Sequence, residues 1–115
     1  MNTNKENTTL ISITSDYDKI CILEKIIKYQ VKNDSIRIIE LIISNFIDSI
    51  TKEENNTEIY LNLLKQNIRE PKLLNLVIEL SISIAKNIPI SFTVEVNQQN
   101  RKQIKYNNDT VLPLF

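Results

Sequence analysis

The groups in this sequence able to move protons or hold metal ions are carboxylates, lysines, tyrosines and hydroxyls. Two carboxylate pairs lie close together in the chain, Asp16/Asp18 and Glu53/Glu54. Paired carboxylates can do acid–base work or bind a hard cation. Asp16 and Asp18 also suit the positive first turn of a helix. Glu53 and Glu54 suit a solvated loop, the ordinary place for such charges. Glu40 and Glu79 stand in the similar strings IIELIIS and VIELSIS, and facing helices of a bundle can hold metal through such carboxylates. The histidine that usually completes that kind of site is missing, because the chain has no His at all.

The absences narrow the chemistry further. Without His there is no Ser-His-Asp triad, no HExxH and no imidazole base. Without Gly there is no Walker A loop, dinucleotide fingerprint, nucleophile elbow or standard calcium loop. With Cys21 alone there is no intrachain disulfide and no cysteine-rich zinc site. Cys21 reads as a small buried or half-buried side chain in a reducing compartment. The expectation is a protein that is not an enzyme, with no cofactor and no metal.

A second kind of chemistry is phosphate contact. Arg101, Lys102 and Lys105, with Tyr106 beside them, would form a basic strand carrying an aromatic. Such a ribbon can pair with phosphates and stack on a base. Lys25, Lys28 and Lys32 add a basic edge elsewhere. Against this, 14 basic residues balance 14 acidic ones, and Glu95 interrupts the ribbon. Nucleic-acid binding therefore stands as the alternative reading.

The composition, 42% hydrophobic and 24% charged over 115 residues, is that of one globular domain, 1–115. Its 21 Ile and 15 Asn, against the single Ala85, point to an A/T-rich genome such as that of a low-GC bacterium, phage, mobile element or organelle. The N-terminus is polar and lacks the apolar segment of a signal peptide. The uncharged run Leu41–Ile47 between Glu40 and Asp48 is seven residues long, where a membrane span needs about 20. A cytoplasmic protein without membrane contact is expected.

These residues must be positioned by a small set of elements. Residues 1–7 are polar and expected to be disordered. Thr8–Thr14 is a candidate short strand. Asp16–Lys32 reads as a first helix capped by Ser15, with Ile20, Leu23, Ile27 and Val31 at inward spacing and Ile26 beside them. Asp34 or Ser35 can cap a second helix, Ile36–Thr51. A third helix spans about Thr57–Arg69. Pro71 ends it and opens a fourth, which runs to about Asn87.

The second and fourth helices each carry one narrow polar stripe. The stripes are Arg37, Glu40, Ser44, Asp48 and Thr51, and Lys72, Asn75, Glu79, Ser83 and Lys86. The remaining circumference of each is mostly apolar, so these two helices should be central. The matching stripes and related strings allow a duplicated helical hairpin, but the offsets disagree, and two similar helices in an Ile-rich chain is the plainer account.

After Pro89 the period falls to two. Ile90, Phe92, Val94 and Val96 alternate with polar residues, which is a one-sided strand. Arg101–Tyr106 is its hairpin partner. A loop of Gln98–Asn100 pairs Val94 with Ile104 and Phe92 with Tyr106, keeping the apolar residues on one face, with Asn100 in the left-handed position.

The fold expected is α+β, mainly α. It is a four-helix bundle of two αα-hairpins followed by a C-terminal β-hairpin, with the N-terminal segment as a candidate third strand. The surplus of apolar surface points to a small non-enzymatic interaction protein, either a homodimer or a subunit bound to another protein. It could act sterically, as an inhibitor of host defence or an immunity protein. The candidate contact residues are Ile38, Leu41 and Ile42 of the second helix, Phe92, Val94, Ile104 and Tyr106 of the hairpin, and Leu112, Leu114 and Phe115 of the tail.

Overall fold

A computed structural model describes residues 7–30, 35–96, 99, 102–106 and 110–111. Strand β1 (Asn7–Ile13) precedes four helices: α1 (Asp16–Gln30), α2 (Ile36–Thr51), α3 (Thr57–Asn67) and α4 (Pro71–Lys86). Strands β2 (Ile90–Val96), β3 (Lys102–Tyr106) and β4 (Thr110–Val111) follow. The class is α+β, mainly α, as the periodicity predicts. The N-terminal strand forms, and the sheet has the order β1-β2-β3-β4 with every neighbouring pair antiparallel.

The hairpin register follows the apolar face. Val94 lies opposite Ile104, and the Phe92 and Tyr106 rings meet at 5.6 Å with planes inclined by 55°. A shift of one residue would turn this apolar set to solvent. The left-handed role assigned to Asn100 falls outside the described residues.

Helix α4 is central. It packs on α1, α2, α3 and β2, and Leu73, Leu76, Val77 and Leu80 are buried along it. Helix α2 contributes Ile39, Ile42, Ile43 and Phe46 to the same core. Helix α3 buries only Leu64 among its own residues, as a peripheral helix should. Buried Ser49 and Ser81 donate to the backbone oxygens of Phe46 and Val77 on their own helices, so neither hydroxyl needs a partner across the core.

The strings IIELIIS and VIELSIS do not occupy equivalent places. Leu41 is exposed and Leu80 buried; Ser44 is exposed and Ser83 buried. The likeness of the two strings does not extend to their packing.

Two sequence expectations are corrected by the packing of α1. Ile20, expected to point inward, is exposed, and Lys19 is fully buried in its stead. Ser83, expected on the polar stripe of α4, is buried as well. One interaction accounts for both. The Lys19 ammonium donates to the backbone oxygen of Ser83 at 3.1 Å and of Ile88 at 2.9 Å. The inward register of α1 is thus Lys19, Leu23 and Ile26, with Ile27 alongside.

The acceptors lie in the last turn of α4 and just beyond it, where the macrodipole favours a cation. Asp16, 3.8 Å from the ammonium, is half in solvent and adds little. Ser15 takes the expected capping role on α1, its hydroxyl accepting from the Asp18 N–H at 3.4 Å. Ser35 precedes α2 but makes no side-chain cap.

Helices α2 and α4 both end in left-handed residues, and with no Gly in the chain other residues take those places. Asn87 (φ 55°) ends α4, with the Asn87 N–H bonded to the Ile84 oxygen and the Ile88 N–H to the Ser83 oxygen. Glu53 (φ 53°) ends α2 in the same way, with Glu53 N–H on Ile50 and Glu54 N–H on Ser49. Both are Schellman turns. Asn enters this region readily, whereas Glu pays a steric cost of about 1–2 kcal/mol. At the start of α4, the Glu70 carboxylate accepts from the Lys72 N–H beside Pro71.

Two stability changes follow, each measurable by urea denaturation. Glu53→Gly should raise stability by about 0.5–1 kcal/mol, the relief being offset in part by the entropy of a Gly in the unfolded chain. Lys19→Met keeps the apolar stem but withdraws the ammonium, and should lower stability by about 2 kcal/mol, the scale of hydrogen bonds from a charged donor.

Candidate interaction surfaces

The sequence-selected contact residues divide into three groups. Phe92 and Ile42 are core residues, 1% and 7% exposed, so neither offers surface to a partner. The alternation that singles out Phe92 places it on the correct face of β2, but that face turns toward the helices. Ile42 faces the core because buried Ile39, Ile43 and Phe46 share its side of α2. Both assignments as contact residues are corrected on this ground.

Val94, Ile104 and Tyr106 form an intermediate group, half-buried on the sheet face that carries Phe92. Leu112, Leu114 and Phe115, with Arg101 of the basic ribbon, lie outside the described residues.

Ile38 and Leu41 are the third group. They are 54% and 65% exposed and one turn apart on α2, which makes them neighbours on the helix surface. The reason is angular. The buried arc of α2 is occupied by Ile39, Ile42, Ile43, Phe46 and Ser49. The opposite arc holds the exposed polar residues Arg37, Glu40, Ser44 and Asp48. Ile38 and Leu41 flank this polar stripe and are left uncovered, so α2 is sheltered on fewer sides than its composition predicts.

Between α1 and the inner face of the sheet lies an open cavity of about 220 Å³. Ile11, Ile13, Phe92 and Ile104 line it from the sheet, and Cys21, Ile22, Asp18 and Lys25 from the helix. Its lining is mainly apolar, and its volume is below the roughly 300 Å³ at which small-molecule pockets begin. Cys21 is a free, half-buried thiol. A hydrogen bond with Cys21, together with the charges of Cys21, Asp18 and Glu24, holds the Tyr17 phenol above its ordinary value.

No group of three or more acidic, His or Cys side chains able to hold a metal occurs among the described residues. Glu40 is exposed and Glu79 half-buried. No helix among the described residues is long and apolar enough to cross a membrane.

The basic ribbon is partly engaged within the chain. Lys105 is 3.0 Å from the Glu95 carboxylate on the neighbouring strand, and the Tyr106 ring rests against Phe92. Lys102 is exposed. The residues singled out for phosphate contact and base stacking thus already have intramolecular partners at Lys105 and Tyr106.

The sequence reading overlooked several exposed apolar residues, including Leu10, Tyr17, Ile59 and Ile88. Leu10 had a legible signal: it shares the polar face of Thr8 and Ser12, opposite to Ile11 and Ile13. Comparisons with family models, with curated proteins and with solved structures find no match to this chain.

Core and surface positions should separate on denaturation. Phe92→Ala should lose about 3–5 kcal/mol, as truncation of a buried aromatic does. Ile38→Glu and Leu41→Glu should each stay within about 0.5 kcal/mol of the parent, as exposed positions do.

Proposed function

We propose that this chain is a small non-enzymatic protein–protein interaction factor whose α2 surface docks on another protein. The observation carrying this reading is the exposed pair Ile38 and Leu41, side by side on α2. Beside them Arg37, Glu40 and Ser44 form an exposed polar stripe, which gives the apolar pair one solvated border. Docking would remove two large aliphatic side chains from water, at about 25 cal/mol per Å² before the costs of association. Steric binding of this kind needs only a complementary surface. It suits an accessory factor of a phage or mobile element, one of the A/T-rich sources with which the Ile- and Asn-rich composition is compatible.

The alternative, a nucleic-acid-binding accessory protein, keeps Lys102, Lys105 and Tyr106 on β3 as its contact strand. The Lys105–Glu95 pair counts against it, since that cation is already neutralised.

The test is co-purification from extracts of the source cells in low and high salt, with absorbance read at 260 and 280 nm. A protein complex that persists in high salt, and is lost in the folded Ile38→Glu/Leu41→Glu double variant, is the expected result. A complex unchanged by the double variant rejects the α2 surface. Excess 260 nm absorbance that disappears in high salt brings the nucleic-acid reading forward, because phosphate contacts weaken steeply with salt.

A further inference from the structure

We propose that β1 joins two copies of this chain edge to edge, in antiparallel pairing, to make one continuous sheet. The strand order leaves β1 on the outside of the sheet. One side of β1 pairs with β2 along all seven residues, Asn7 to Ile13. Among the described residues, no backbone group bonds the other side.

Exposed edges in soluble proteins are usually blunted by lysine, proline, a bulge or shortness. At the far edge β4 is only two residues long. By contrast β1, NTTLISI, has no charge and no proline, and its register on β2 is unbroken. Its Thr and Ile residues favour extended pairing. It is an edge with every property of an inner strand.

The occupant argued here is a second copy because the strand is self-complementary. About a two-fold axis, residue i faces j and j faces i. Centring that axis on Leu10 sets Leu10 against the partner's Leu10, and Thr9 against the partner's Ile11. Positions of equal parity face one another, so the inner faces carrying Ile11 and Ile13 stay on one side of the joined sheet. An uncharged strand meets its own copy without like-charge opposition.

Leu10 supplies a second argument. It is 73% exposed on the outer face, where its neighbours are Thr8, Ser12 and, across the ladder, Thr93. It is the one apolar side chain among the outward positions of β1 and β2. A second Leu10 directly across the axis would cover it. A strand pair of this length, about 24 Å, lies at the small end of protein interfaces, so micromolar, concentration-dependent association is expected. The proposal rests on the reading of the chain as an association protein, but it uses a different surface, so the two can fail separately.

The experiment is light scattering on the full chain, from low to several hundred micromolar, in low and high salt. The expected mass rises from one chain to two with concentration and is indifferent to salt. Leu10→Lys sets two ammonium groups opposite each other and should hold the mass at one chain with unchanged circular dichroism. Ile38→Glu/Leu41→Glu should still reach two. An isotope-filtered NMR experiment on mixed ¹³C-labelled and unlabelled wild-type chains should show contact between Leu10 methyls of different copies.

A one-chain mass at every concentration overturns the proposal and leaves the α2 reading standing. A dimer that survives Leu10→Lys, or one without a Leu10 cross-chain contact, also overturns it. A dimer lost only in the α2 double variant places self-association on α2 and rejects the β1 edge. A monomer whose β1 amides become protected only with a different protein assigns the edge to a foreign strand, which again rejects a second copy.

Discussion

The arrangement of helices and sheet turns on one buried cation. Lys19 is fully enclosed, and its ammonium bonds the Ser83 and Ile88 oxygens. These acceptors bracket the end of α4 and the entry to β2. The donor sits in the first turn of α1, which directly follows β1. A single side chain therefore ties both strand–helix junctions together, and the two junctions feed the adjacent strands β1 and β2. Burial of an ammonium is costly unless it is fully bonded. The end of α4 offers the compensation through these two oxygens and the negative pole of the helix. Ser83 reinforces the arrangement by donating its own hydroxyl to the Ile88 oxygen.

Most of the architecture was legible because it is written in periodicity. Four helices, the Pro71 start, the Ser15 cap and the hairpin register all follow from spacing and local sterics. The register of α1 was not. Counting only apolar residues puts Ile20 inward, because Lys is ordinarily solvated. The true register needs a lysine among the core positions, which becomes reasonable only once a helix end is known to lie opposite. The same blindness hides Ser83. Both errors arise from a contact between residues far apart in sequence, which local pattern cannot carry.

The candidate interaction surfaces were legible in part. Polar stripes identify the exposed arc of α2, and Ile38 and Leu41 stand at its border. Alternation identifies the apolar face of β2, but it cannot say whether that face meets solvent, a partner or the chain's own helices. Phe92 meets the helices, and its ring also engages Tyr106. Among the described residues, the exposed apolar side chains used in the two proposals lie on a helix surface, Ile38 and Leu41, and on an edge strand, Leu10. These surfaces differ in kind. Side-chain shape governs what fits α2, whereas backbone hydrogen bonding governs what fits β1.

The pairing of β1 with β2 has a consequence for synthesis. β1 leaves the ribosome well before its partner β2, which follows all four helices. At roughly 5–20 residues per second, several seconds separate the two. During that interval both edges of β1 are open, and Lys19 has no carbonyls to receive it. The nascent chain thus carries an uncharged, strand-forming segment that must wait for the helical part before it finds its place. The order of translation thus sets the interval over which β1 lacks its sheet neighbour.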